Sequence, residues 1–348
     1  MSNRNSIIIR IIIWGAAAIF LLSALAMLTS KAASGKNAWN TDFWGDLRTV
    51  QEESFSLSAV NELEFDFSSM DIELYLTKED ELRVKLLSNR ELLPDERFVS
   101  SAEAGRIVVQ SQPHVSVFPF NLGSINVFRK LEVYLPEQYA EALKMKTASG
   151  NMTLPEELTL KTVKLHLSSG DLRGGTIQAE DFALGVTSGN IRLSQVKSAH
   201  YEIGMTSGDI TMEAVAGIGS IGSSSGNIRV GSVSGGEQDI STTSGNISVD
   251  QFTGYGEIGT QSGNVKIDSA LPQGDMNVRV TSGTVSIELV KEAAVNIEAS
   301  VTSGDIDCDM PLSYGKSGKH ATGQVGENPT ATLSIKTTSG EVRISQAE

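Results

Sequence analysis

Asp171, Arg173, Arg192 and Asp209 are the residues of this chain whose types and spacing come nearest to a reaction. Carboxylates set beside a guanidinium are what glycan cleavage uses, one group moving a proton while another steadies charge at the sugar. Each of the two aspartates directly follows a Ser-Gly pair, and each arginine falls three residues after such a glycine. The rest of the reactive inventory is thinner. His114, His166, His200 and His320 are far apart, and none has a metal-ligand spacing to a cysteine or another histidine. Serines and threonines abound without the His and Asp pattern that activates a nucleophile. Gly217, Gly219 and Gly222 satisfy G-x-G-x-x-G, but a dinucleotide loop opens a long helix, and here the chain runs into another Ser-Gly-Asn. Cys308 is the single cysteine, so there is no internal disulfide.

The elements that must position these groups are repeats. Ser-Gly recurs at Gly150, Gly170, Gly189, Gly208, Gly226, Gly245, Gly263, Gly283, Gly304 and Gly340, at intervals of 20, 19, 19, 18, 19, 18, 20, 21 and 36 residues. The residue that follows is Asn151, Asp171, Asn190, Asp209, Asn227, Asn246, Asn264, Thr284, Asp305 or Glu341. Two residues after each glycine the chain is always apolar, from Met152 and Leu172 to Val342. Five residues before, it is apolar again, from Met145 and Leu165 to Ile335. Polar residues alternate with these, which is the period of strands and not of helices.

Glycine permits positive φ at a corner, and Asn or Asp tolerates it while bonding nearby backbone. One such coil cannot bury its apolar face alone, whereas stacked coils share a continuous core. The expected fold is all-β: a single-stranded parallel β-helix, or β-solenoid, of about ten coils with two or three short strands each. Its Asn and Asp side chains form a turn ladder, and mixing the two limits repulsion between neighbours. Stacking makes Arg173 and Arg192 direct neighbours on an outward column, a pattern that solvated faces also show. Calcium-binding β-rolls repeat every nine residues with aspartate in each turn. This repeat is twice as long and mostly uses Asn, so Asp171, Asp209 and Asp305 allow loose calcium capture at most, and no cofactor is expected.

Residues 59–146 read as irregular first coils and a cap, and residues 147–348 as the regular repeats. Within the first part, Ser68 to Leu74 looks like a degenerate turn, and strands are expected at residues 82–86, 106–109 and 131–135. A short helix or loop is expected over 89–104, a loop over 113–123 and a helical turn over 136–142. The last interval is too long, and its extra segment, residues 311–329, carries Tyr314, Lys316, Lys319 and His320. That segment reads either as a cover over the final coil or as a basic loop that contacts a partner.

Residues 11–28 form an uncharged run that reaches roughly 27 Å as a helix, close to the apolar thickness of a bilayer. Arg4 and Arg10 precede it, which favours an amino terminus inside and a body outside. Residues 1–30 are therefore expected to be a transmembrane signal anchor and residues 31–58 a linker. A cleaved signal peptide using Ala24-Leu25-Ala26 is the alternative. Trp39, Phe43 and Trp44 suit either the membrane–water boundary or packing on the first strands. The formal charge of −14, with no basic stripe, excludes a nucleic-acid binder.

Leu131-Glu132-Val133-Tyr134-Leu135-Pro136, the stretch from Lys144 to Asn151, and the serial Ser-Gly-Asn/Asp-Ile turns resemble the bacterial putative-adhesin domain family, whose LiaG-like members are membrane-anchored. The resemblance implies a β-helical extracytoplasmic domain and an adhesive role, and it brings no catalytic residues. The expectation is a non-catalytic binding or structural module of the cell envelope that meets an envelope protein or a wall polymer. A polysaccharide lyase or glycosidase is the alternative, because β-helices host such enzymes. A polymerising bactofilin-like scaffold is another.

Overall fold

The computed structural model describes residues 47–112 and 127–347. Residues Leu47–Glu348 form one compact unit. The expected membrane span at 11–28, the aromatics Trp39, Phe43 and Trp44, and the loop at 113–123 with His114 lie outside the described residues. Among the described residues, no helix is long and apolar enough to cross a membrane.

Among the described residues the unit is all-β, with long parallel strands following one another in sequence and a single 3₁₀ turn at Pro94–Glu96, the arrangement of a β-solenoid. Strands Leu172–Ser188, Ile191–Ser207, Ile210–Ser225, Ile228–Ser244, Ile247–Ser262 and Val265–Ser282 each make one coil. Leu172 lies on Ile191, then come Ile210, Ile228, Ile247 and Val265. In the first of these coils pairing lapses at residues 175 and 180, which divides it into three straight runs before the Ser-Gly-Asn corner.

The core is the set of inward columns. The residue two after the glycine is buried in every coil except that of Gly304, where Ile306 is half-buried. The residue five before is buried at each one. Each Ile, Leu or Val removed from water in this way contributes about 1.5–3 kcal/mol. One column mixes sizes. Tyr201 pairs with Gly219 and Gly219 with Gln238. The absent side chain at Gly219 lets the buried Tyr201 hydroxyl donate to Gln238 Oε1 across the intervening coil, and Gln238 Nε2 donates to the Gly217 carbonyl at 2.7 Å.

At the amino-terminal end, Glu62–Phe67 and Asp71–Thr77 flank the degenerate turn and make the first coil, which pairs directly with Ala142–Ser149 and Met152–Thr153. The intervening chain folds back as a cap. Arg106–Ser111 and Arg129–Pro136 extend the stack in parallel. Antiparallel strands Phe98–Glu103, Glu81–Ser88 and Arg48–Ser56 then close it. Three expectations change here. The stretch 89–104 holds the strand Phe98–Glu103 besides its short turn. Residues 136–142 make a turn closed by Tyr139 N–H to the Pro136 carbonyl at 3.0 Å, without a helix. The strand Arg48–Ser56 lies inside the stretch read as linker.

At the other end the stack departs from chain order. Ala331–Ser339 sits between Val265–Ser282 and Val295–Ser303. Val342–Gln346 likewise sits between Val285–Leu289 and Ile306–Cys308. Successive corners were expected to pile up in sequence order, yet Gly340 lies on Gly283 and Gly304 lies outermost. The extra residues at 311–329 allow this, because they let the chain double back. His320–Val325 pairs antiparallel with Val295–Ser303 and covers an edge that would otherwise offer unpaired backbone groups.

Candidate functional site

The corner glycines have φ between 128° and 149°. A side chain on any of them would collide with the carbonyl group of the preceding corner. Each glycine N–H from Gly150 onward, Gly304 excepted, donates to a serine carbonyl of the next coil at 2.9–3.1 Å. Beside this row runs the side-chain ladder. Asp71, Asn151, Asp171, Asn190, Asp209, Asn227, Asn246 and Asn264 each accept, through Oδ1, the backbone N–H of the ladder residue one coil on, at 2.7–3.3 Å. Asn190, Asn227, Asn246 and Asn264 also donate Nδ2 to the Oδ1 below. The ladder is therefore one polarised chain of hydrogen bonds.

The carboxylates and arginines singled out by spacing are part of this chain. Arg173 and Arg192 are Cα partners in adjacent coils. Asp171 Oδ2 lies 3.4 Å from Arg173 and 3.8 Å from Arg192, and Asp209 Oδ2 lies 3.8 Å from Arg229. Burial raises the Asp171 carboxyl, but the Asn190 hydrogen bonds and the two guanidinium groups together hold it below the usual range. The Asn227 backbone N–H, ahead of the opposing burial, does the same for Asp209. A carboxylate kept ionised, with its lone pairs engaged, is a poor proton shuttle near neutrality.

The carboxy-terminal segment divides. Lys319 reaches the last corner, where Nζ donates to the Gly304 carbonyl and lies 3.3 Å from Asp305 Oδ1. Gly304 is the outermost corner, so the ammonium stands where the next coil would be. His320 belongs to the covering strand opposite Ser300, and Tyr314 pairs with Ala321 beside it. Tyr314 and Lys316 are exposed. Cys308 is half-buried, and burial chiefly pushes its thiol up. Gly217, Gly219 and Gly222 lie inside the strand Ile210–Ser225, with no helix after them. His166 and His200 are exposed, the latter 3.4 Å from Asp181 Oδ1. Among the described residues, no group of three or more His, Cys, Asp or Glu side chains could hold a metal ion.

Spacing did not reveal a trough across the outer face of the run that precedes each corner. Its floor is the column four residues before the glycine: His166, Gly185, Gly204, Gly222 and Ser241. One bank is the column two residues further back: Lys164, Ala183, Glu202, Ser220, Asp239 and Glu257. Exposed Thr187, Thr206, Ser224 and Thr243 make the other. Two cavities lie on this floor, one of about 400 Å³ over His166, Gly185 and Gly204 and one of about 340 Å³ over Ser241, while a third of about 800 Å³ lies on the far side of the Lys164 to Glu257 bank, against Asp181, His200, Ile218 and Glu237. Burial first, then the neighbouring Glu257, raises the Asp239 carboxyl, while Glu257 pairs with Arg279 at 2.6 Å. The signal available in the sequence was glycine at a position that makes no corner.

No curated protein matches the chain. Among solved structures, it is similar to a "putative lipid binding protein" from Parabacteroides distasonis, at 12% identity and a TM-score of 0.40, covering 84% of this chain and 96% of that one. It is also similar to a "putative adhesin" from Parabacteroides merdae, at 13% identity and a TM-score of 0.39, covering 86% and 97%. A "putative adhesin" from Parabacteroides distasonis matches at 12% identity and a TM-score of 0.34, covering 86% and 98%. With TM-scores below 0.5, none of these likenesses carries weight beyond its own description. The sequence itself matches one family twice, over residues 60–233 and 216–345, so that the two matches span nearly the whole compact unit. The chain belongs to the toastrack family, DUF4097.

Proposed function

We propose that the chain is a membrane-anchored, non-catalytic binding module of the cell envelope, a parallel β-helix that residues 11–28 hold outside the membrane. Its role is that of an adhesin, contacting an envelope protein or a wall polymer. One observation carries this reading. The charged residues nearest to a catalytic set are spent on one another in the corner ladder, while open cavities follow one another across several coils on the two sides of one outward column. A surface that repeats with the coil spacing suits a partner that is itself extended.

The test is a binding screen of the full chain in detergent micelles against wall glycans and envelope proteins, with turnover followed in the same samples. Binding without product is expected; steady release of product sinks the reading. Protease accessibility of the body in intact cells tests its placement, and protection there would refute an outward orientation. Glycan cleavage remains a second reading on one specific ground. Asp239 and Glu257 are neighbours in adjacent coils, one carboxyl raised and the other held by Arg279. Turnover that Asp239→Asn abolishes would establish it.

A further inference from the structure

The outermost coil is covered along one run and bare along the next. His320–Val325 lies on the outer edge of Val295–Ser303. Ile306–Cys308, beyond the Gly304 corner, pairs with Val342–Gln346 alone among the described residues. The bonds of that pair fix which backbone groups are left over. Val342 N–H donates to the Asp305 carbonyl at 3.0 Å, and Asp309 N–H donates to the Ile344 carbonyl at 3.3 Å. With residues 305, 307 and 309 bonded on this side of a parallel ladder, Ile306 and Cys308 turn their N–H and C=O groups the other way. That side is an open strand edge, a template for pairing with another chain.

The side chains alternate in register with this edge. Asp305, Asp307 and Asp309 are exposed, while Ile306, Cys308 and Met310 end the core only half-buried. Asp305 already holds an ammonium, Lys319 Nζ at 3.3 Å, in the place of a next coil. Asp307 has no ion pair among the described residues, since its Cα partner Arg343 donates Nε and Nη2 to Glu341 at 2.9 and 2.7 Å. Asp309 Oδ2 accepts the Gln346 N–H at 3.4 Å. Tyr314 stands at the same edge: burial first, then the nearby Cys308 and Asp307, raises its hydroxyl. A second copy does not suit this edge, because antiparallel pairing about Asp307 sets carboxylate against carboxylate. A strand with cations at alternate positions does.

We infer that the edge Ile306–Cys308 takes up one strand of a partner protein, in which apolar residues alternate with lysine or arginine. The partner's apolar side chains complete the burial of Ile306 and Cys308, its cations meet Asp307 and Asp309, and its backbone extends the ladder. Positions 305 to 309 reach about 13 Å as a strand, so five residues of the partner cover them. The inference rests on the binding reading above and narrows its partner to a protein strand.

The experiment titrates the full chain, in micelles of an uncharged detergent, with the end-blocked peptide Lys-Val-Lys-Val-Lys. The controls are Glu-Val-Glu-Val-Glu, the rearranged Lys-Lys-Lys-Val-Val, and a copy of the first peptide N-methylated throughout, which keeps its charge but cannot donate to a ladder. The first peptide binds at least tenfold more tightly than any control, and hydrogen exchange slows at the Ile306 and Cys308 amides. Asp307→Lys lowers that affinity at least tenfold. Combined with Asp309→Lys, it lets the acidic peptide bind instead, which also shows that the changed chain is folded. Equal binding of the rearranged or N-methylated peptide would reduce the effect to net charge and overturns the inference. So does exchange that slows elsewhere but not at Ile306 and Cys308, and so does the absence of binding by the first peptide. If that peptide fails while the wider screen still yields a partner, only this inference falls; if the screen also fails, the binding reading falls with it.

Discussion

Two glycine-to-alanine changes, only one coil apart, should have opposite signs. Gly226 has φ 134°, and a Cβ there would lie 2.6 Å from the Gly208 carbonyl carbon, where ordinary contact begins at about 3.4 Å. Alanine must therefore open the corner by at least roughly 0.8 Å (3.4 − 2.6), and further to clear the Gly208 carbonyl oxygen, which the Cβ meets first. That stretches the bonds Gly208 N–H to Ser225 O, 3.0 Å, and Ile210 N–H to Asn227 O, 2.9 Å, past hydrogen-bonding range. It also pulls Asn227 away from Asp209, where two further bonds of 2.9 and 3.0 Å are made. Four bonds at about 1 kcal/mol net each, with up to about 3 kcal/mol of backbone strain, give a loss of about 4–7 kcal/mol. Gly204 meets nothing and needs no special φ, so Gly204→Ala should gain about 0.5–1 kcal/mol. Urea unfolding followed by circular dichroism reads both, and hydrogen exchange locates the damage, since a stack of repeats can open locally. If Gly226→Ala cost no more than a surface substitution, the corners would not be closely stacked and the ladder argument would fail.

Lys319→Met should cost about 1–2 kcal/mol and expose the Gly304 corner to exchange, because it removes the cation from the last carbonyl of the row; unchanged protection there would show the contact to be idle. Gln238→Leu should cost about 1–3 kcal/mol by orphaning the buried Tyr201 hydroxyl, and the double change with Tyr201→Phe should recover most of it in a double-mutant cycle; simple additivity would refute the coupling. The folded-state pKa values of Asp171 and Asp209 lie below those of the unfolded chain, so their contribution is present above about pH 4 and is lost as pH falls through the folded values. The pair Asp171→Asn and Asp209→Asn should therefore flatten the fall in stability below about pH 4, and an unchanged acid profile would contradict the assignment.

The corners and the inward columns were legible because one glycine, one Asn or Asp and one β-branched residue recur at fixed offsets. Each does a local job that no other residue type does as well. Ile228, Ile247 and Val265 could be placed in the core from parity alone, and all three are buried. The degenerate turn before Ile72 could be seen for the same reason. The threading at the carboxy-terminal end could not, since every corner is built to sit on any other and nothing in Gly283, Gly304 or Gly340 names its neighbour. The strand Phe98–Glu103 was missed because, apart from Phe98, it is exposed and follows no inward–outward alternation. The trough escaped notice because a glycine that leaves space looks, in a sequence, like a glycine that turns the chain. Lys319 read as a free basic group because its target is a carbonyl more than a dozen residues away, supplied by the backbone.

The segment Ala331–Gln346 lies between coils that precede it in the chain, and this bears on how the molecule can be made. Coils up to Val265–Ser282 can be laid down one upon another as the polypeptide is delivered from its amino terminus. Val295–Cys308 then has to wait, holding a place one layer out, until residues 331–346 slide in as a keystone. A product that stops before residue 331 would lose more than this segment, because Val295–Cys308 would be left without the layer it rests on. The far end can therefore close only once residues 331–346 have been made, so that a copy lacking them stays marked by an open, sticky edge.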